Sequence, residues 1–257
     1  MHTKTDHPLL WTSLALLTLT AIVLTTTPRA IHPLRNTAAC AANYSQFGQD
    51  AYLHHNIFPH AATTPGYYID LSAYDPLRLS NTAVFDRCYG WRGLCIDMNP
   101  FHAAAFKQHR TCDFLHTCVA ANRTYLDYYP TDSDLSNGRE GVSRVTCEPF
   151  DAILRRHNVP SHVQLLTIDI EGWEVGALQG FPFDRIQVDA ILVETWHVGK
   201  APVFDWLEDL GYRHVAEIGP DDLFVWGGAA PWLPDRYHEW RKAVRSAERD
   251  RVTLRTL

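Results

Sequence analysis

The segment Gly66–Pro100, GYYIDLSAYDPLRLSNTAVFDRCYGWRGLCIDMNP, leaves few folds open. Its apolar run Tyr67–Ile69 ends on Asp70 and Leu71, then opens onto small and polar residues from Ser72 to Ser80. Val84, Phe85 and Cys88 recur at helical spacing across Asn81–Tyr89, and Gly90 stops the helix. A second apolar run, Leu94–Ile96, stops on Asp97. Strand, loop, helix and strand make one βαβ unit, the building block of parallel sheets. Open α/β sheets bind ligands outside the carboxyl ends of their strands. A carboxylate ending the second strand can accept a hydrogen bond from each hydroxyl of a ribose. The segment therefore predicts a nucleoside-containing cofactor, with Asp97 at its ribose and the loop Ser72–Asp75 beneath it. There is no G-x-G-x-x-G, which weighs against a dinucleotide.

The 257 residues suit one large α/β domain. A net charge of −6 is mild and argues against nucleic acid as the main partner. No obligate protein partner is implied. Residues 8–28, PLLWTSLALLTLTAIVLTTTP, carry no charge and are long enough to cross a bilayer core of about 30 Å as a helix. The length favours an uncleaved signal-anchor over a cleaved signal peptide, and Pro28-Arg29-Ala30 is a poor cleavage site. The expected plan is a tail, membrane segment and stem over 1–36, a catalytic domain over 37–228, and a charged, arginine-rich helical tail over 229–257. Flanking positive charges are nearly balanced, so they do not set the orientation. Two N-x-[ST] tripeptides, at Asn43 and Asn122, and an even count of six cysteines favour a glycoprotein with its domain in the lumen of the secretory pathway, Golgi or endoplasmic reticulum. The cysteine pairing is left open, fifteen combinations being possible.

Downstream, the periodicity predicts a helix opening near Ser45, with Phe47, Ala51, Tyr52 and Phe58 facing the core and Gln46 and Gln49 in solvent. A helix over Phe101–His109 and a third strand over Asp113–Val119 follow. Residues 122–144 read as polar and irregular. A helix over Glu148–His157 leads to a fourth strand, Val163–Ile168, and then to Asp169-Ile170-Glu171-Gly172. Asp169 and Glu171 alternate along an extended backbone and point the same way. They suit acid–base work or a metal, with Glu171 as a cap for the helix Trp173–Gln179 the competing role. A fifth strand, Ala190–Val193, runs into Glu194 and on to His197 at the same rim. A helix over Val203–Leu210 and a hairpin, Tyr212–Ile218 with Asp222–Trp226, complete the pattern.

The order SQFGQDAYL, GYYIDLSAYDPLRLSNT, GWRGLCIDMNP, LLTIDIEGWE and ILVET resembles the FkbM-type family of S-adenosylmethionine-dependent methyltransferases, over roughly Ser45–Trp226. The resemblance implies a Rossmann-like α/β fold: a mostly parallel seven-stranded sheet with helices on both faces and its last strand antiparallel. It implies S-adenosyl-L-methionine as cofactor and O-methyl transfer to a hydroxyl of a sugar, glycan or small metabolite. Carried over, the cofactor-binding residues are Asp70, Leu71, Ser72, Ala73, Asp75, Asn81, Asp97, Met98 and Asn99. Asp169, Glu171 and His197 are the catalytic candidates, any of the three able to take the hydroxyl proton, and no metal is expected. Ser72 and Pro76 stand where the family commonly has glycines, and Asp97 where glutamate is usual. Two other readings remain. A Golgi-type glycosyltransferase would use Asp132 and Asp134 for a metal and a nucleotide sugar. A non-catalytic binding module would explain the altered loop at Ser72.

Overall fold

The computed structural model describes residues 40, 43–128 and 142–227. The expected membrane segment, the Asp132–Asp134 pair and the arginine-rich tail lie outside the described residues. Among those described, no helix is long and apolar enough to cross a membrane. The elements in chain order are α1 (Gln49–Tyr52), continued by a π-helical turn (Leu53–Ile57), β1 (Tyr67–Leu71), α2 (Ala83–Tyr89), β2 (Arg92–Asp97), α3 (Ala103–His109), β3 (Asp113–His116), β4 (Cys118–Val119), β5 (Thr124–Tyr128), β6 (Ser143–Glu148), α4 (Phe150–Arg156), β7 (His162–Ile168), α5 (Glu174–Gly180), β8 (Gln187–Glu194), α6 (Lys200–Asp209), β9 (Tyr212–Ile218) and β10 (Asp221–Trp226).

Seven strands form one sheet in the order β3-β2-β1-β7-β8-β10-β9. All pairings are parallel except those of β10, which runs antiparallel to both neighbours. The mostly parallel sheet read from the βα steps, with its closing hairpin, is therefore present. Parallel central strands are covered on both faces, so their two side-chain sets enter two cores. Ile69, Leu71, Leu166, Ile168, Ile191 and Val193 pack under α4, α5 and α6 through Phe150, Ile153, Leu178, Val203 and Leu207. Tyr68, Cys95, Leu165, Ala190 and Leu192 face the other way, onto Leu53, Val84, Phe85 and Phe106. Each fully buried large apolar side chain contributes about 1.5–3 kcal/mol. The close approach of Tyr68 to β2 needs Gly93, because a Cβ there would lie 2.4 Å from the phenol ring.

Several readings are corrected. The expected third strand stops at His116; Cys118–Val119 leaves the main sheet and joins a second sheet of order β4-β6-β5. The supposedly irregular stretch contains β5, four of whose five residues are exposed, so apolar alternation is missing there. The first helix starts at Gln49 behind Gly48, not near Ser45. Phe47 is exposed, while Gln49 is buried. The six cysteines pair as Cys40–Cys88, Cys95–Cys112 and Cys118–Cys147.

Candidate active site

Parallel register brings the carboxyl ends of β1, β2, β7 and β8 to one edge. Asp70 lies opposite both Cys95 and Thr167, and Ile168 opposite Val193. The antiparallel β10 presents its first residue at the same edge, so Asp221 lies opposite Glu194. Asp70, Asp97, Asp169, Glu194 and Asp221 therefore share one rim.

On the β1–β2 side the carboxylates are saturated with donors. Asp70 accepts the hydroxyls of Thr82 at 2.5 Å and Thr167 at 2.8 Å. Asp97 accepts the backbone N–H of Tyr74 and of Asn99, both at 2.7 Å. Burial raises Asp97, and these two N–H groups oppose the shift. Asp75 accepts the N–H groups of Leu77 and Arg78, closing its own turn. Beneath the loop lies Arg110, fully buried. It donates to Pro76 O, Ser80 Oγ, Tyr68 Oη and Thr82 Oγ1. Its Nε sits 3.3 Å from Asp86 as an ion pair. Asp86 also accepts from Tyr68 Oη at 2.6 Å and from the N–H of Thr111. Burial works against the guanidinium charge, but Tyr68, Asp86 and Asp70 outweigh it and hold Arg110 above its ordinary value.

Ser72 has φ +75°, in the left-handed region glycine favours, and Tyr74 and Leu79 are left-handed too. The loop thus keeps a glycine-type path without glycine. Its bonds to Asp97 and Arg110 hold it there, together with those from Ser72 N and Ala73 N to Ile96 O. Leu71 and Ala73 are buried, and Asn81 presents a buried Oδ1 with no hydrogen-bond partner. Met98 is exposed and Asn99 buried just past β2, where the Asn99 side chain accepts the N–H of Phe101.

The β7–β8 side is short of donors. Asp169 reaches solvent at the end of β7. Burial first, then Glu171, push it up to about 6. Glu194 is 8% exposed, has a carboxylate oxygen within 4.8 Å of one of Asp169 and has no partner at Oε2. Burial first, then Asp169, push it up to about 8. Two carboxyls this close share a proton and titrate as a pair. Asp221 rises to about 6, driven by burial and opposed by Gln49, which donates to it at 2.7 Å.

Two pinned loops frame this pair. Glu171 does not cap α5, whose N-cap Trp173 has no side-chain cap bond; the turn before the helix is fixed by Glu174, whose buried carboxylate accepts the N–H groups of Ile170 and Gly172. Glu171, at φ +56°, swings outward, and its Oε2 lies 2.9 Å from His197 Nε2. The β8–α6 loop is tied by Thr195, which donates to buried Asp222 at 2.6 Å. The loops touch where a Cβ on Gly172 would sit 3.8 Å from His197 Cβ. Asp169, Glu171 and His197 are thus brought together, and Asp169 N–H bonds Leu71 O at the start of the loop after β1. Sequence reasoning passed over Glu194, Asp221 and Gln49 as members of the site. The end of a strand marked Glu194, but no local signal pairs Gln49 with a residue 172 positions away. Glu171, Glu194 and His197 could together hold a cation, as could Asp169, Glu174 and Glu194.

No curated protein matches the sequence. Six chains of solved structures do. One is the crystal structure of a methyltransferase FkbM from Methylobacillus flagellatus KT, at 13% identity and a TM-score of 0.42. The match covers 68% of this chain and 50% of that one, so the chain spans about half the length of that relative. The methyltransferase FkbM domain matches residues 70–214, from the rim acid of β1 to the hairpin. The chain belongs to the FkbM methyltransferase family.

Proposed function

We propose that the protein is an S-adenosylmethionine-dependent O-methyltransferase whose acceptor hydroxyl belongs to a sugar, glycan or small metabolite. The observation that carries the reading is the convergence of Asp169 and Glu194 on one rim with the donor-saturated loop at Asp70 and Asp97. The donor chemistry fits the cofactor. Asp70 and the unpartnered Asn81 Oδ1 are oxygen acceptors suited to its ammonium group. Asp97, with lone pairs left beyond its two backbone donors, suits the ribose hydroxyls, and Met98 and Asn99 the adenine side. Leu71, Ser72, Ala73 and Asp75 build the turn under it. Bound there, S-adenosylmethionine supplies a methyl group on a positively charged sulfur for in-line displacement by the acceptor oxygen.

The chain's own residues handle the proton. Asp169 at about 6 is ionised at neutral pH yet basic enough to accept the hydroxyl proton as the oxygen reacts. Glu194 at about 8 keeps its own proton and donates it to Asp169, holding that carboxylate in one orientation. His197, its Nε2 turned to Glu171, is the second proton-accepting group, nearer solvent. No bound metal is part of this reading.

We also propose that the protein is a single-pass membrane glycoprotein with its catalytic domain in the secretory lumen. Three disulfides support an oxidising compartment, and the sequon residues Asn43 and Asn122 are exposed. The test of the chemistry is calorimetric titration of the full chain with S-adenosylmethionine and S-adenosylhomocysteine. Binding that is lost in Asp97→Ala is expected. A folded wild type that binds neither ligand removes the reading.

A further inference from the structure

Two tryptophans are the most exposed large apolar side chains described: Trp173 at 75% and Trp196 at 78%. Solvent-facing indoles of this size are uncommon on a surface that has no use for them. Neither rides a loose loop. Trp173 follows the turn fixed by Glu174, whose carboxylate takes the N–H groups of Ile170 and Gly172. Trp196 follows Thr195, which is held through its hydroxyl by Asp222, through its N–H by Pro220 O and through its C=O by Gly199 N–H. Asp222 is itself gripped by His214 at 2.6 Å and by Lys200. The two mounts meet at the contact between Gly172 and His197. Trp173 stands two residues after Glu171 and Trp196 one before His197, each next to a backbone segment held in place, and Glu171 and His197 are paired at 2.9 Å.

Resting on the methyltransferase reading above, we propose that Trp173 and Trp196 form the acceptor subsite and that it takes an uncharged pyranose ring. A pyranose has an apolar C–H face and a rim of hydroxyls. An indole offers the first a flat apolar surface, while Glu171 and His197 offer the second acceptor and donor atoms. The same surroundings set the charge preference. Asp169, Glu171, Glu194 and Asp221 gather at this side of the rim, and Lys200 and Arg110 are engaged with the carboxylates of Glu217, Asp222 and Asp86. A uronic acid or a phosphorylated sugar meets like charge in a partly desolvated site and is rejected. Rigid aromatic mounts also lower the ordering entropy that a ligand must overcome.

The experiment uses the full chain and labelled S-adenosylmethionine with three probe sets: methyl hexopyranosides, methyl N-acetylhexosaminides and methyl hexuronides. Label is expected in one of the neutral sets and not in the hexuronides. In Trp173→Ala and Trp196→Ala the acceptor KM is expected to rise about tenfold each, with kcat changing less than about threefold. Trp→Phe at each position restores most of the affinity, because a ring face remains. Calorimetric affinity for S-adenosylhomocysteine stays within about twofold in all four variants. Labelling of hexuronides, or of no sugar by a chain that binds S-adenosylhomocysteine, overturns the proposal while sparing the cofactor reading. So does an unchanged KM in the double Ala variant, or a defect confined to binding of phosphatidylcholine vesicles. A wild type that does not bind S-adenosylhomocysteine fails at the earlier step and takes this inference with it.

Discussion

Asp70 and Asp97 on one half of the rim, and Asp169 and Glu194 on the other, are the same functional group in opposite circumstances. Each of the first two is met by two protein donors, hydroxyls for Asp70 and backbone N–H groups for Asp97. The second two have chiefly each other, and Glu194 Oε2 has no partner. A carboxylate met by donors acts as a fixed part of the frame, whereas one short of donors is pushed toward its protonated form. The difference lies in where N–H and O–H groups point, not in the residue type.

The sharpest way to break the contrast is to remove the cation beneath the saturated half. Arg110→Met leaves Asp86 buried without its ion pair and strips donors from Tyr68, Ser80 and Thr82. A loss of about 3–5 kcal/mol in chemical denaturation is expected, with partial recovery in the Arg110→Met, Asp86→Asn double variant. If the single variant stays as stable as wild type, the loop is not held from below. On the other half, Asp169→Asn is expected to lower kcat by about 10²–10⁴ with the melting temperature kept and S-adenosylhomocysteine affinity within about twofold. Full turnover in both Asp169→Asn and Glu171→Gln would falsify the assignment of the proton to this cluster.

The pH dependence sharpens the comparison further. The singly protonated pair is the active form, so kcat/KM should rise through about pH 6 and fall through about pH 8. Glu194→Gln is expected to abolish the alkaline limb alone. Stability follows the same sign. Because the folded chain raises Glu194, its contribution is complete below the ordinary carboxylate range and is lost as pH rises through about 8. Thermal melts of wild type should therefore drop from about pH 5 to about pH 9, and Glu194→Gln should flatten the slope. The smallest effect expected is at Ser72. Its left-handed backbone suits glycine, so Ser72→Gly should add up to about 1 kcal/mol and leave cofactor affinity intact.

The sheet was legible because its signals are local. Apolar runs ending on acids marked β1, β2, β7 and β8 within a residue or two of their observed ends. β5 was not, because a strand exposed on both faces carries no alternation. Asp97 and Asp169 could be picked out as strand-end acids, but not that one would be satisfied and the other starved. The donors to Asp97 are backbone groups of a loop, and the partner of Asp169 arrives on the next strand. Gln49 looked solvated because its reason for burial, Asp221, comes from the far end of the domain. At Ser72 the loop takes the left-handed path with serine in place.

The antiparallel strand β10 has a consequence for how the protein is made. Domains emerge from synthesis N-terminal end first. The strands and buried guanidinium that frame the cofactor loop are complete once β7 has been translated, whereas Asp221 arrives with almost the last piece of the domain. Until the hairpin slots in beside β8, Glu194 lies on an open sheet edge, wetted and free to ionise. The chain can therefore assemble the turn at Asp97 early, while the surroundings of Asp169 and Glu194 are completed only with the final docking event.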